Sequence, residues 1–172
     1  MDFSLTPRVE ELRDRVRGFI DDHVLPVELE AMQALDDEVR PGANVAYPAI
    51  IRELRERAKA DGLWNLFLPD TAQPADSSAS RPGPAGYGVG LTNWEYGVLC
   101  EEMGRSPAIA PMAFNCAAPD TGNMEILAEH GTDEQLERWL QPLLDGETRS
   151  CFSMTEPEVS GSDPTTLQPR AE

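Results

Sequence analysis

Residues 151–166, CFSMTEPEVSGSDPTT, gather the groups best suited to holding a polar ligand. Thr155 offers a hydroxyl and a backbone N–H. Gly161 permits a positive φ or a close approach by a ligand, while Ser162 and Asp163 favour a turn that exposes amides. Glu156 precedes Pro157 and is thereby held extended before the turn. Glu156 and Asp163 also suggest a carboxylate pair for general acid–base chemistry, which needs both groups within hydrogen-bond reach of one reacting centre. No spacing argument brings them there, and Glu156 reads as a hydrogen-bonded turn residue. The residues alone leave two readings open, a surface turn between two strands and a loop that faces a ligand.

The elements that lead to this loop are helical. Thr6 caps a first helix with Pro7 in its first turn, and Val9, Leu12, Val16, Phe19 and Ile20 recur on one face. Pro26 ends or kinks it, with PVELEAMQAL as a second helical piece, and the pattern breaks at Pro41-Gly42. Pro48 to Asp61 is predicted helical, with Ile50, Ile51, Leu54 and Ala58 as the apolar stripe, Arg and Glu opposite, and Gly62 at its end. LWNLFLP then anchors that helix to the core. The Pro-, Ser- and Gly-rich stretch from Asp70 to Gly90 reads as a mobile surface loop. Thr92 with Glu95 makes a capping box for a helix that carries Trp94, Val98, Leu99 and Met103 and stops at Gly104. TGNMEILAEHG is a further helix. Thr132 with Gln135 opens the last one, whose apolar face is Leu136, Leu140, Leu143 and Leu144, with Pro142 as an irregularity. After Gly146 the period changes, and RSCFSMT and TTLQPRAE read as two short strands, the second limited to an edge by Pro169.

Composition narrows the function. Asp plus Glu number 31 against 14 Lys plus Arg, a net charge of −17. That balance argues against nucleic acid and anionic membrane surfaces, both bound through basic patches. No run approaches the length a bilayer needs, and the N-terminus carries no secretory pattern. Cys100, Cys116 and Cys151 show no metal spacing and fit reduced thiols in a cytoplasmic protein. His23 and His130 stand alone in their segments, so no metal site is expected.

FSMTEPEVSGSD resembles the flavin-binding motif of the acyl-CoA dehydrogenases, in which a strand runs into Thr-Glu-Pro and then Gly-Ser-Asp. GLWNLFLPD, GLTNWEYGVLCEEMGRSP, FNCAAPDTGNMEIL and GTDEQLERWLQPLLDGETRSCF are similar, in order, to the family's N-terminal helical domain, closest to its long-chain branch. The resemblance implies an all-α fold over residues 1–148, followed in 149–172 by the first strand or strands and flavin-binding loop of a truncated middle β-domain. It implies FAD as cofactor, with Phe152, Met154 and Thr155 facing the flavin ring. Gly161 and Ser162 would contact the ribityl-pyrophosphate side, and Ser162 also the thioester end of an acyl-CoA substrate. The implied reaction is α,β-dehydrogenation of a fatty acyl-CoA to trans-2-enoyl-CoA, with electrons passed to an electron-transfer flavoprotein. No residue matches the family's catalytic glutamate, which belongs to a C-terminal helical domain. The isolated chain is therefore expected to be inactive, and the full-length form to be a homo-oligomer. A different class of reading remains, a non-catalytic helical interaction module that completes another subunit.

Overall fold

The computed structural model describes residues 4–38, 47–68, 88–159 and 161–168. Helix α1, Pro7–Phe19, starts where expected: the Thr6 side chain accepts from the Val9 N–H at 3.4 Å. Its buried face is Val9, Leu12, Val16 and Phe19. The helix then widens into a π turn, Ile20–Val24, and tightens into a 3₁₀ turn, Leu25–Val27, before α2, Glu28–Glu38. Proline cannot donate its N–H and crowds the carbonyl four residues back, so the turn before Pro26 opens to clear it. A π turn, Leu136–Leu140, likewise precedes Pro142, but runs directly into α-helix.

Helix α3, Ala49–Ala60, ends at Asp61, and Gly62 takes the left-handed φ of 65° that its end needs. Ile51, Leu54 and Ala58 are buried as the stripe predicts, but so is Arg55, at 4% exposure. Its charge had placed it opposite the stripe; the structure turns it inward because buried acceptors await it there. Leu63, Leu66, Phe67 and Leu68 pack into the core as an anchor for this helix.

The Thr92–Glu95 capping box opens α4, Asn93–Met103, which ends at Gly104. This helix buries Leu99, Glu102 and Met103, whereas Trp94 stays 49% exposed and is no part of the core. A short helix α5, Ala110–Ala113, precedes α6, Asp120–His130. The second capping box, Thr132 with Gln135, opens α7, Asp133–Gln135. A π turn, Leu136–Leu140, and α8, Gln141–Asp145, complete the domain. Helix α1 packs on α4, α3 on α5, and α6 against the π turn and α8. Between them lie Ile20, Ile51, Leu66, Leu99, Phe114, Met124 and Leu140, all at 1% exposure or less. Full burial of side chains of this size contributes about 1.5–3 kcal/mol each.

Among the described residues there is no strand. An extended segment becomes a strand only by pairing with another, and the backbone of residues 149–155 finds no ladder. Where the second expected strand, 165–172, would begin, Pro164–Thr166 is a 3₁₀ turn, because the Asp163 carboxylate accepts from the Thr165 N–H at 3.0 Å and curls the chain; residues 169–172 lie outside the described residues. The loop expected from Asp70 to Gly90 lies outside the described residues except for 88–90, as do the Pro41-Gly42 break and Pro169. No helix among the described residues is long and apolar enough to cross a membrane. No described cluster of His, Cys, Asp or Glu could hold a metal ion.

Candidate functional site

The segment with chemical potential begins where α8 ends, and its starting point is fixed by a buried polar cluster. Gly146 turns left-handed, with φ 72°, and a Cβ there would overlap the Arg55 guanidinium and the Trp64 ring. The last carbonyls of a helix lack partners within the helix. Here side chains from three other stretches supply donors. Arg55 Nη2 donates to Gly146 O at 3.3 Å, and Asn115 Nδ2 donates to Leu143 O at 3.0 Å. Leu144 O accepts from Trp64 Nε1 at 2.7 Å and from Asn65 Nδ2 at 3.0 Å.

Asn65 and Asn115 are themselves left-handed, with φ 54° and 56°, a region that few residues other than glycine and asparagine enter readily. They are linked by a bond from Asn115 Nδ2 to Asn65 Oδ1 at 2.7 Å. Arg55 donates as well to Met112 O at 2.9 Å and to Asn115 Oδ1 at 3.2 Å. Its guanidinium lies over both the Tyr47 and the Trp64 rings, 4.6 and 4.7 Å from their centroids. Burial disfavours its charged form and lowers its pKa, while Tyr47 and then Asp120 oppose the shift. Burial likewise pushes the Tyr47 hydroxyl up, against the pull of Arg149 and Arg55. Arg149 also lies over the Tyr47 ring, 4.5 Å from its centroid.

From this cluster the chain runs to Ser150, which is fastened to α6. Asp120 Oδ1 accepts from the Ser150 N–H at 2.6 Å and from its hydroxyl at 2.5 Å. Asn123 Nδ2 donates to Ser150 Oγ at 2.8 Å. Two residues on, the Phe152 ring reaches the α6 surface at Gly122, where a Cβ would lie 4.0 Å from Phe152 Cζ.

The sequence-predicted residues follow. Phe152 is 63% exposed and Met154 44%, and Thr155 and Ser162 are also exposed. Gly161 folds back on the same segment, where its Cβ would stand 3.6 Å from Met154 O and 3.7 Å from Thr155 Cα. The structure thus brings Met154, Thr155 and Gly161 together. Glu156 Oε2 accepts from the Gln168 N–H at 3.1 Å, and Asp163 is engaged with Thr165, whose hydrogen bonds hold its carboxyl below the usual range. The two carboxylates serve separate turns and form no acid–base pair.

Sequence reasoning passed over Asp120, Asn123 and Ser150. Asp120, just after Pro119, has the look of an acid placed for a helix N-terminus, and nothing local marks it as the partner of a residue 30 positions away. The cysteines are free: Cys100 and Cys151 are exposed, and Cys116 is buried with its thiol pushed up to about 12.

The family model described as "Acyl-CoA dehydrogenase, N-terminal domain" matches residues 79–147. Over 167 residues the chain is 48% identical to Acyl-CoA dehydrogenase family member 10 of Mus musculus, covering 96% of this chain and 14% of that protein. Acyl-CoA dehydrogenase family member 11 of Homo sapiens is 39% identical over 166 residues, covering 96% of this chain and 19% of its own length. A solved protein from Mycobacterium abscessus, assigned as an acyl-CoA dehydrogenase, superposes with a TM-score of 0.76 at 43% identity, over 96% of this chain and 38% of that one. The chain spans well under half the length of each of these proteins.

Proposed function

The chain belongs to the acyl-CoA dehydrogenase family, and we propose that it is part of an FAD-dependent oxidoreductase that converts a fatty acyl-CoA to its trans-2-enoyl-CoA. In this reading residues 1–148 form the helical domain, and 149–172 open a second domain that carries the flavin. The observation that supports it best is the fastening of Ser150, which leaves Phe152 and Met154 exposed on a held segment rather than buried or loose.

The residues fit one face of a flavin. Phe152 and Met154 present an aromatic ring and a thioether, suited to a flat, mostly apolar ligand. Thr155 has a hydroxyl and a backbone N–H for the polar ring edge. Gly161 allows close approach beside it, and Ser162 would hold the pyrophosphate side and the thioester end of the substrate. The flavin, when bound, supplies an acceptor for the hydride lost from the β-carbon of the substrate. The chain's own residues would orient the ring, exclude water from it and hold the thioester. Glu156 and Asp163 are committed to turns and leave the α-proton to another base. Electrons would leave through an electron-transfer flavoprotein, and the complete enzyme would be a homo-oligomer.

A graft tests this reading. Residues 1–172 replace the matching 38% of the Mycobacterium abscessus protein, and the folded product is assayed for flavin absorbance and acyl-CoA oxidation with a dye acceptor. A yellow, active graft that loses both with Ser162→Trp is expected. A folded graft that stays colourless, beside a yellow parent, would sink the proposal. The 172-residue chain alone is expected to be colourless after FAD addition and desalting, because one wall does not enclose such a ligand.

A further inference from the structure

We infer that Asp120 is a positioning residue for the flavin-facing segment: its carboxylate sets where Phe152, Met154 and Thr155 stand by holding Ser150 on α6. The inference rests on the flavin reading above and concerns how the segment is held, not which ligand it meets.

Residues 149–155 belong to no ladder, so the ordinary device for fixing a strand beside its neighbours is missing from the described structure. Between the Arg55 cluster and Phe152, the hydrogen bonds that tie the chain down converge on Ser150. One oxygen, Asp120 Oδ1, takes both the backbone N–H and the hydroxyl of that residue, at 2.6 and 2.5 Å. A backbone amide bonded to a side chain fixes the main chain itself, and a charged acceptor makes the bond roughly twice as strong as a neutral one. Asn123, one helical turn along α6, completes the grip from the other side at 2.8 Å. Asp120 is 7% exposed, so water competes little for this oxygen.

Phe152, whose ring meets α6 at Gly122, stands two residues beyond this grip. Two residues carry at most about 7 Å of extended chain. A segment released at Ser150 would let Phe152 wander by several ångströms, whereas a flat ligand tolerates far less. Asp120 therefore acts on the candidate site through Ser150, without touching a ligand itself.

The test separates three questions. Amide exchange of the 172-residue chain is measured for wild type, Asp120→Asn, Asp120→Ala and Ser150→Ala, with Glu125→Gln on the exposed side of α6 as control. Exchange of the Ser150 amide should quicken about tenfold or more in the Asp120 variants, and less in Ser150→Ala, which keeps the backbone bond. Protection in 124–130 should hold. Uniform loosening of both, or no change in either, would overturn the positioning role. The same substitutions in the grafted enzyme should weaken FAD about tenfold and shift the flavin absorbance, with Asp120→Asn milder than Asp120→Ala. Unchanged affinity despite faster local exchange would overturn the inference while the flavin reading stands. A wild-type graft that binds no FAD would remove the flavin reading itself, and this inference with it.

Discussion

Arg17 and Arg55 show what one side chain does in two settings. Arg17, 48% exposed, donates to both oxygens of Glu102 at the seam of α1 and α4, where Arg105 joins Glu102 and Asp21. The hydrogen bonds and charge of Glu102 raise the Arg17 pKa. Arg55 is 4% exposed, pairs with no carboxylate among the described residues, and donates to two carbonyls and an asparagine between two rings. Burial lowers its pKa. At the first site Arg17 is half exposed and the buried Glu102 keeps Arg105 as a second cation when Arg17 is removed. At the second, the buried Asn115 Oδ1 and the half-buried Gly146 O would lose their donor. Position in the packing, more than the presence of a formal ion pair, sets the cost of losing an arginine.

The sharpest way to break this contrast is Arg55→Met, which keeps much of the volume and removes every donor. Asn115 Oδ1 and Gly146 O lose their donor, at about 1–3 kcal/mol for a buried group left unsatisfied, while Met112 O keeps the Asn115 N–H at 3.3 Å. A total near 3 kcal/mol is expected from urea unfolding, with no matching loss in Arg17→Met. Equal losses would erase the distinction.

Gly146→Ala approaches the same cluster from the backbone. The left-handed φ alone costs about 1–2 kcal/mol for a residue with a Cβ, and overlap with Arg55 and Trp64 adds to it. A variant within 0.5 kcal/mol of wild type would mean that the cluster yields, unlike a packed interior.

Smaller effects are expected at the α1–α4 seam, and they carry a pH signature. The bond from Arg17 holds the Glu102 carboxyl below its ordinary value, partly offset by burial. A depressed carboxylate contributes stability above its unfolded pKa, about 4.3, and that contribution is lost as pH falls through the folded value. Glu102→Gln should therefore unfold at a lower temperature than wild type at pH 7, with the gap closing in strong acid and shrinking with added salt. A gap independent of both would show that packing, not charge, is at work there.

How much of this was legible depended on distance along the chain. Thr6, Thr92 and Thr132 announce their helices because each cap is completed within three residues, and Gly62 and Gly146 mark ends by the φ they allow. Pro26 and Pro142 signalled a disturbance, though not that it would take the form of a preceding π turn. The Arg55 cluster could not be read, since its bonds join residues 57, 60 and 91 apart and two of its left-handed positions are asparagines. The candidate segment was found from its small and hydroxylic residues and from a resemblance. Its fastening to Asp120 was not, because the other half lies on a helix whose own pattern is complete without it. The alternation in RSCFSMT described side chains, and a strand requires a neighbour as well.

Those separations also bear on the order of assembly. The α1–α4 seam already closes a loop of 85 residues at Arg17 and Glu102, but through apolar stripes on two locally capped helices, whereas the bond from Arg55 to Gly146 closes its loop of 91 residues only once Trp64, Asn65 and Asn115 are also in place. Closing such a loop costs entropy before any bond repays it. The cluster should thus be a late event, formed after the main folding barrier, and act as a latch on the finished domain. Arg55→Met would then speed unfolding and leave refolding nearly untouched. Denaturant chevrons test this, and a change confined to the folding limb would place the latch in the nucleus instead.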